Sequence, residues 1–251
     1  RIDVAIAGPG ANEQQLAEVR QRWHLDDPIP QQYVVWVKNL ATGDLGRSSA
    51  FNVSVSQLVK DRFPNSLRLM IYAQIIALGL AVPLGMLAAY RAGTGSDKLI
   101  STTSFAFLSF PPVVAGPILV YLFAVRWHWF PAIYSPVSLF SHPWQHVRMW
   151  LLPSLVLAFT LVAGYLRLLR SDMIATLQSD FITMARAKGL STRHILLRHA
   201  LRPSLFSLMT AAAINIGVLI GGTVIVETIF ALPGMGDLAV QSLFRRDLQV
   251  F

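Results

Sequence analysis

Three places in this chain carry residues whose types and spacing suit chemistry. The first is FITMARAKGLSTRHILLRHALRPS, Phe181 to Ser204, with Arg186, Lys188, Arg193, Arg198 and Arg202 set between two long apolar runs. Such a segment can bind anionic headgroups or an acidic partner. The second is Glu227, a lone acid near the end of an apolar run, where facing lipid is costly. It suits pairing with a neighbouring base, bracing Pro233-Gly234, or touching a cationic cargo terminus, and a structural brace is the favoured reading. The third is an aromatic loop with His128, His142 and His146. His142 and His146 have i, i+4 metal-ligand spacing, but Pro143 between them argues against a regular helix there, and plain interfacial histidines fit better. His194 and His199, five apart, match one helical face poorly. Cysteine is absent, so disulfides and thiolate chemistry are excluded. The sequence has no GxxxxGK[ST] phosphate loop and no constellation of nucleophile, base or metal ligands in its apolar runs. It reads as a chain that binds and moves something, with no metal and no cofactor of its own.

The elements that hold these residues are membrane helices. Of 251 residues, 54% are hydrophobic and 14% charged, against about 25% charged in average soluble chains. Four runs meet the length of about 20 apolar residues needed to cross a bilayer: Leu69–Tyr90, Leu99–Val125, Met149–Leu166 and Leu205–Ile229. The loop 91–98 carries two bases and one acid, and 167–202 carries seven bases and two acids. By the positive-inside rule these loops face the cytoplasm. Residues 1–68, the 127–147 loop and the C-terminal tail then lie outside. The net charge of +8 reflects those loops, and no interleaving of aromatic and basic residues points to nucleic acid. Pro83, Pro111, Pro112 and Pro117 interrupt the spans. Gly79, Gly85, Gly116, Gly164, Gly217, Gly221 and Gly222 are candidates for close helix approach.

Residues 1–68 differ in kind, with eight bases and seven acids. Asn12 and Gln15 make a capping pair for a short helix whose face is Leu16, Val19 and Trp23. QQYVVWVKNL repeats the amphipathic pattern through Tyr33, Trp36, Val37 and Leu40, and Gly43-Asp44-Leu45-Gly46 is a turn. This is a small external subdomain tethered to the bilayer. In the basic segment, Ser179 and Asp180 suit a helix N-terminus. Phe181, Ile182 and Ala185 share a face, with Thr183 and Arg186 opposite, and Gly189 suits a left-handed stop. Ser191 caps a second helix with an apolar arc of Leu196, Leu197, Ala200 and Leu201. Two short amphipathic helices joined at Lys188-Gly189-Leu190 fit a groove on a partner or the membrane surface.

Thr183-Met184-Ala185-Arg186-Ala187-Lys188-Gly189, continuing to His199-Ala200-Leu201-Arg202, resembles the cytoplasmic EAA loop of ABC importer permeases. Gly43-Asp44-Leu45-Gly46 with Ser48 resembles the GDLG-x-S signature of the dipeptide, oligopeptide and nickel permease subfamily. Val226-Glu227 through Phe230, Pro233, Gly234 and Gly236 resembles its V-E-x-x-F-x-x-P-G-x-G stretch. Thr183 and Met184 stand where the general loop has Glu and Ala, and Arg202 replaces the usual proline, with Pro203 one place on. The resemblance implies an all-α polytopic membrane protein of the type I ABC importer permease fold. Its parts are an external subdomain at 1–68, a transmembrane core at 69–230 with the coupling loop at 171–203, and an external PGxG segment at 231–251. The family expectation is six spans, so the given sequence, which starts at Arg1, lacks a helix at each end.

The resemblance further implies a multi-pass subunit of the bacterial inner membrane, not an enzyme. Its partners would be a homologous second permease, two ATPase subunits that bind ATP and Mg, an external solute-binding protein and the lipid bilayer. Peptides are the default cargo of the subfamily. Asp180, Phe181, Ala185, Arg186, Lys188, Gly189 and Leu190 are the residues expected at the ATPase. Asn215, Thr223, Glu227, Pro233, Gly234 and Gly236 are those expected at the translocation path or gate, with Thr210 on the same run as Asn215 and Thr223. The competing class is a secondary transporter or channel without an ATPase. Such proteins show inverted repeats or charge relays, and neither is visible here.

Overall fold

A computed structural model describes residues 10, 12–22, 26–247 and 250, and among these it is helical, with one isolated antiparallel bridge, Arg47 to Ser54. The chain divides into two compact units, one drawn from Arg1–Asn65 and Pro233–Phe251, the other Ser66–Leu232. The first and last segments of the sequence therefore share one unit.

In the first unit, α1 (Glu13–Arg22) opens on a reciprocal capping pair. Asn12 Oδ1 accepts from Gln15 N at 2.8 Å, and Gln15 Oε1 accepts from Asn12 N at 3.0 Å. Trp23 and the Val19 side chain, expected on its apolar face, lie outside the described residues. Helix α2 (Ile29–Ala41) starts on Pro28 and has no buried residue, so its apolar stripe of Ile29, Tyr33, Trp36, Val37 and Leu40 is exposed. The turn after it is fixed by Gly43 and Gly46, both at positive φ, and by Asp44 Oδ1 accepting from Gly46 N at 2.9 Å.

The second unit is built around one helix. Helix α3 (Val55–Tyr90) begins in the first unit's sequence and supplies the first span. Next come α4 (Gly95–Leu108), α5 (Pro112–Leu119), which continues as a π-helical stretch at Val120–Arg126, and α6 (Pro143–Leu177). The expected second span is not straight: α4 and α5 with its π extension meet at 97°. Pro111 and Pro112 explain the break. Neither has an N–H to donate, and each disfavours the helical conformation in the residue before it. The pair is a broken span or a re-entrant loop, tolerated in lipid where neighbouring protein covers the freed carbonyls.

Helix α6 is the axis of the unit. Two thirds of its apolar window is buried (67%), against 39% for α3. Leu152, Val156, Leu157, Leu161, Tyr165, Leu166, Leu169 and Met173 join Leu69, Met70, Ala73 and Ala77 of α3 in one core. The basic segment forms α7 (Asp180–Ala187), then a single turn α8 (Thr192–His194), a π-helical turn at Ile195–Ala200, and α9 (Leu201–Ile229). The second basic helix is therefore the start of a membrane span, not a separate element. The window Thr192–Leu219 is only 17% buried. Phe206, Met209, Ile214 and Val218 stand exposed along α9, an apolar face left for lipid or another subunit. Helix α10 (Met235–Phe244) belongs to the first unit.

Among the described residues, two of the glycines read as sites of close approach act so within this chain, and the side-chain position of Gly222 lies outside them. A Cβ on Gly116 would meet Ile229 Cδ1 at 2.9 Å, and one on Gly85 would meet Leu169 Cδ2 at 3.2 Å and Leu166 O at 3.3 Å. Gly79, Gly164, Gly217 and Gly221 have nothing within 4 Å of such an atom.

Candidate coupling surface and membrane polar sites

Helix α7 stands on a small core of its own: Ile182 and Ala185 pack with Ile195 and, at the edge, Leu177. Ser179 occupies the N-cap position, but its hydroxyl donates back to Thr176 O at 2.6 Å and does not cap the helix. Ser191 does cap, accepting from His194 N. Gly189 has φ +76°, the left-handed geometry that ends α7 and turns the chain toward α8. Its N–H reaches Arg186 O at 2.9 Å, and Leu190 N reaches Ala185 O at 3.3 Å.

With Ile182 and Ala185 turned inward, the residues facing out are Phe181 (49% exposed), Met184 (60%) and Leu190 (37%). Asp180, Arg186 and Lys188 are exposed beside them. Ala185, expected on the docking surface, is buried at 6% and supports the helix from behind. Met184, a departure from the EAA pattern in sequence, stands on this exposed surface. Its place one residue before buried Ala185 could have marked it.

The π-helical turn also overturns the reading of His194 and His199. Five residues apart, they would diverge on an α-helix, but i→i+5 pairing brings their rings to 5.4 Å between centroids. The histidines around the start of α6 are settled differently. Pro143 is the first residue of α6, so the helix starts there and His142 precedes it. His146 is buried, with Nδ1 2.7 Å from Val137 O and Nε2 3.0 Å from Tyr72 OH. If Nδ1–H donates to Val137 O, Nε2 accepts from Tyr72, and neither nitrogen is left for a metal. Among the described residues, no group of three or more metal-ligand side chains exists.

Glu227 is fully buried, and Ser66 Oγ of α3 donates to its Oε1 at 2.6 Å. Leu232 N returns to Glu227 O at 2.8 Å, closing the end of α9. Thr223 is equally buried, whereas Asn215 is half-buried and Thr210 exposed. In this conformation, Glu227 and Thr223 face the interior of their own unit, whereas Asn215 and Thr210 reach its surface. Pro233 O accepts from Asn65 Nδ2 at 2.9 Å, Gly234 begins α10, and Gly236 is buried in it.

Two polar arrangements were not foreseen. Tyr165 OH donates to Gln74 Oε1 at 3.0 Å, and Gln74 Nε2 donates to Ala212 O at 3.0 Å, so three spans share a buried relay. In the first unit, Asp247 is buried and accepts from Ser48 Oγ and from Ala50 N at 3.2 Å, while Ser48 Oγ accepts from Phe51 N at 2.9 Å. The serine of the GDLG-x-S stretch thus holds a residue 199 positions away.

A helical chain with several membrane-length helices and a preformed basic hairpin between two of them is an all-α polytopic membrane protein. Residues 81–250 match the family "Binding-protein-dependent transport system inner membrane component", and the chain belongs to that family. It is 34% identical over 247 residues to "Probable peptide ABC transporter permease protein y4tP" of Sinorhizobium fredii, covering 98% of this chain and 78% of that protein. It is 37% identical over 236 residues to the oligopeptide transport system permease protein AppB of Bacillus subtilis, covering 92% and 73%. To OppB of Escherichia coli, also an oligopeptide transport system permease protein, it is 35% identical over 235 residues, covering 92% and 74%. The chain is a permease subunit of an ABC importer, and a secondary transporter or channel finds no support.

Proposed function

We propose that this permease forms half of a path for peptides in a bacterial inner membrane, paired with a homologous second permease and fed by an external solute-binding protein. Two ATPase subunits, carrying ATP and Mg, sit on its cytoplasmic side. The cargo reading is supported by the relatives' names, each of which specifies peptide or oligopeptide transport. The coupling reading is carried by one observation: α7 buries Ile182 and Ala185 against its own chain and turns Phe181, Met184 and Leu190 outward beside the Gly189 stop. That is an apolar tip on a braced stem, suited to a cleft on an ATPase.

Asp180, Arg186 and Lys188 flank the tip and would set its register through charge pairing. Helix α7 packs through Ile182 and Ala185 on Ile195 of the π-helical turn, and that turn runs without interruption into α9, so a displacement of α7 is passed to a membrane span through this packing. ATP closes the ATPase pair, the docked tip moves with it, and the population shifts between inward-open and outward-open packings. Asn215 lines the path, and Glu227 with Thr223 holds its external end closed on α3. Pro233, Gly234 and Gly236 shape the external segment that follows.

The test is Phe181→Asp and Leu190→Asp in the intact transporter. Each is expected to abolish peptide uptake and release the ATPase during purification, with the permease still in the membrane. Uptake and ATPase retention at wild-type levels in both variants would refute the docking surface.

A further inference from the structure

A groove of about 460 Å³ lies between the end of α3 and the segment that leads into α9. Met86 and Tyr90 line one side, and Thr192, Arg193, Leu196 and Leu197 the other. None of these residues belongs to the coupling tip. We propose that this groove holds an acyl chain of an anionic phospholipid, with Arg193 and the Tyr90 hydroxyl at its mouth taking the phosphate.

Four observations carry this. The volume lies within the range of about 300–1,000 Å³ usual for small-ligand sites. The wall is apolar apart from a few polar groups, the composition expected where hydrocarbon is held and a headgroup is read. The depth is right: Tyr90 is the last residue of an uncharged run and Arg91 follows, so the mouth lies where hydrocarbon gives way to headgroups, the level tyrosine favours. The charge is right as well. The loops 91–98 and 167–202 on this side carry nine bases and three acids, which draws anionic lipid.

An acyl chain laid against Met86, Leu196 and Leu197 strands no polar group there. The occupant touches both α3 and the π-helical turn between the coupling tip and α9. Headgroup charge therefore tunes how firmly that turn is held. The inference needs only the membrane topology and stands or falls apart from the ATPase docking.

The experiment places p-benzoylphenylalanine at Leu197 in the complete transporter, reconstituted in nanodiscs with equal amounts of phosphatidylglycerol and phosphatidylcholine. A matching probe at Ile75, exposed in mid-span, serves as reference. After irradiation, adducts are weighed by mass spectrometry. Phosphatidylglycerol adducts at Leu197 are expected to exceed phosphatidylcholine adducts about fivefold, with no such preference at Ile75. Arg193→Gln is expected to abolish the preference and Arg193→Lys to keep most of it. Equal adducts of the two lipids at Leu197, or adducts to an ATPase or second permease peptide instead of lipid, would overturn the proposal.

Discussion

Asp97 and Arg170 close a two-pronged ion pair, Nε to Oδ1 at 2.6 Å and Nη2 to Oδ2 at 2.7 Å. Asp97 also accepts from Gly93 N at 2.9 Å and Ser101 Oγ at 3.4 Å, and its side chain is 5% exposed. One carboxylate thus ties the start of α4 to the C-terminal part of α6, ten residues before α7 begins. Read in sequence, these were two charges in loops that set topology. In the fold they are a clasp, because α6 carries Arg170 one further turn past the apolar run to where the 91–98 loop returns.

Asp97→Asn and Arg170→Gln are each expected to lower stability by about 1.5–3 kcal/mol, the usual worth of hydrogen bonds to charged groups. Arg170→Lys keeps the charge but loses the fork, and should fall between. Thermal unfolding of the purified transporter measures this, with exposed Lys98→Gln as reference. A shift no larger than the reference would mean the clasp bears no load.

Gly116 sits under Ile229, where a Cβ would come within 2.9 Å of the side-chain tip. Gly116→Ala is expected to be mild because that tip can rotate. Gly116→Leu should cost about 1–3 kcal/mol through overpacking. Ile229→Ala should recover part of the loss in the double variant, measured by folded yield and melting temperature. Equal loss with and without Ile229→Ala would exclude this contact as the cause.

Gly189→Ala forces a side chain into the left-handed region and is expected to cost about 1–2 kcal/mol at the end of α7. Uptake should fall more than membrane insertion, because the strain falls on the tip and not on a span. Gly189→Asn should be better tolerated, since asparagine visits this region more readily. Transport assays in vesicles of matched permease content decide it. Alanine transporting better than asparagine would contradict the geometry.

Tyr165→Phe removes the hydroxyl that Gln74 accepts from. The expected loss is about 0.6 kcal/mol and at most about 1.7 kcal/mol, the measured range for interhelical hydrogen bonds in a membrane. Gln74→Leu removes the whole relay and should lose more. A double-mutant cycle with no coupling between the two positions would show that the relay is not a unit.

Much of this was legible in the residues. Hydropathy marked the spans, because a bilayer imposes length and apolarity on any helix that crosses it. Local chemistry marked Asn12 with Gln15, the Gly43–Gly46 turn and Gly189, because each depends on residues within a few positions. What escaped reading depends on partners far apart in sequence. The 97° break needed the geometry around Pro111-Pro112, which prolines alone do not give. Ser48 with Asp247, Gln74 with Tyr165, and Asp97 with Arg170 are pairings set by tertiary packing. The burial of Ala185 and the meeting of His194 with His199 turn on which face of a short helix packs inward and on a π-helical register, neither of which periodicity resolves over so few residues.

The central claim is that the tip of α7 is where an ATPase moves this permease. The sequence has no cysteine, so single cysteines can be placed at Phe181 or Leu190 in the intact permease and paired with cysteines scanned along the cleft of its ATPase. Cysteine at buried Ile182 serves as the control. The account predicts disulfide formation from positions 181 and 190, none from 182, and a yield that changes when ATP is added. No cross-link to any co-purified ATPase from either exposed position, with peptide transport intact, would contradict it.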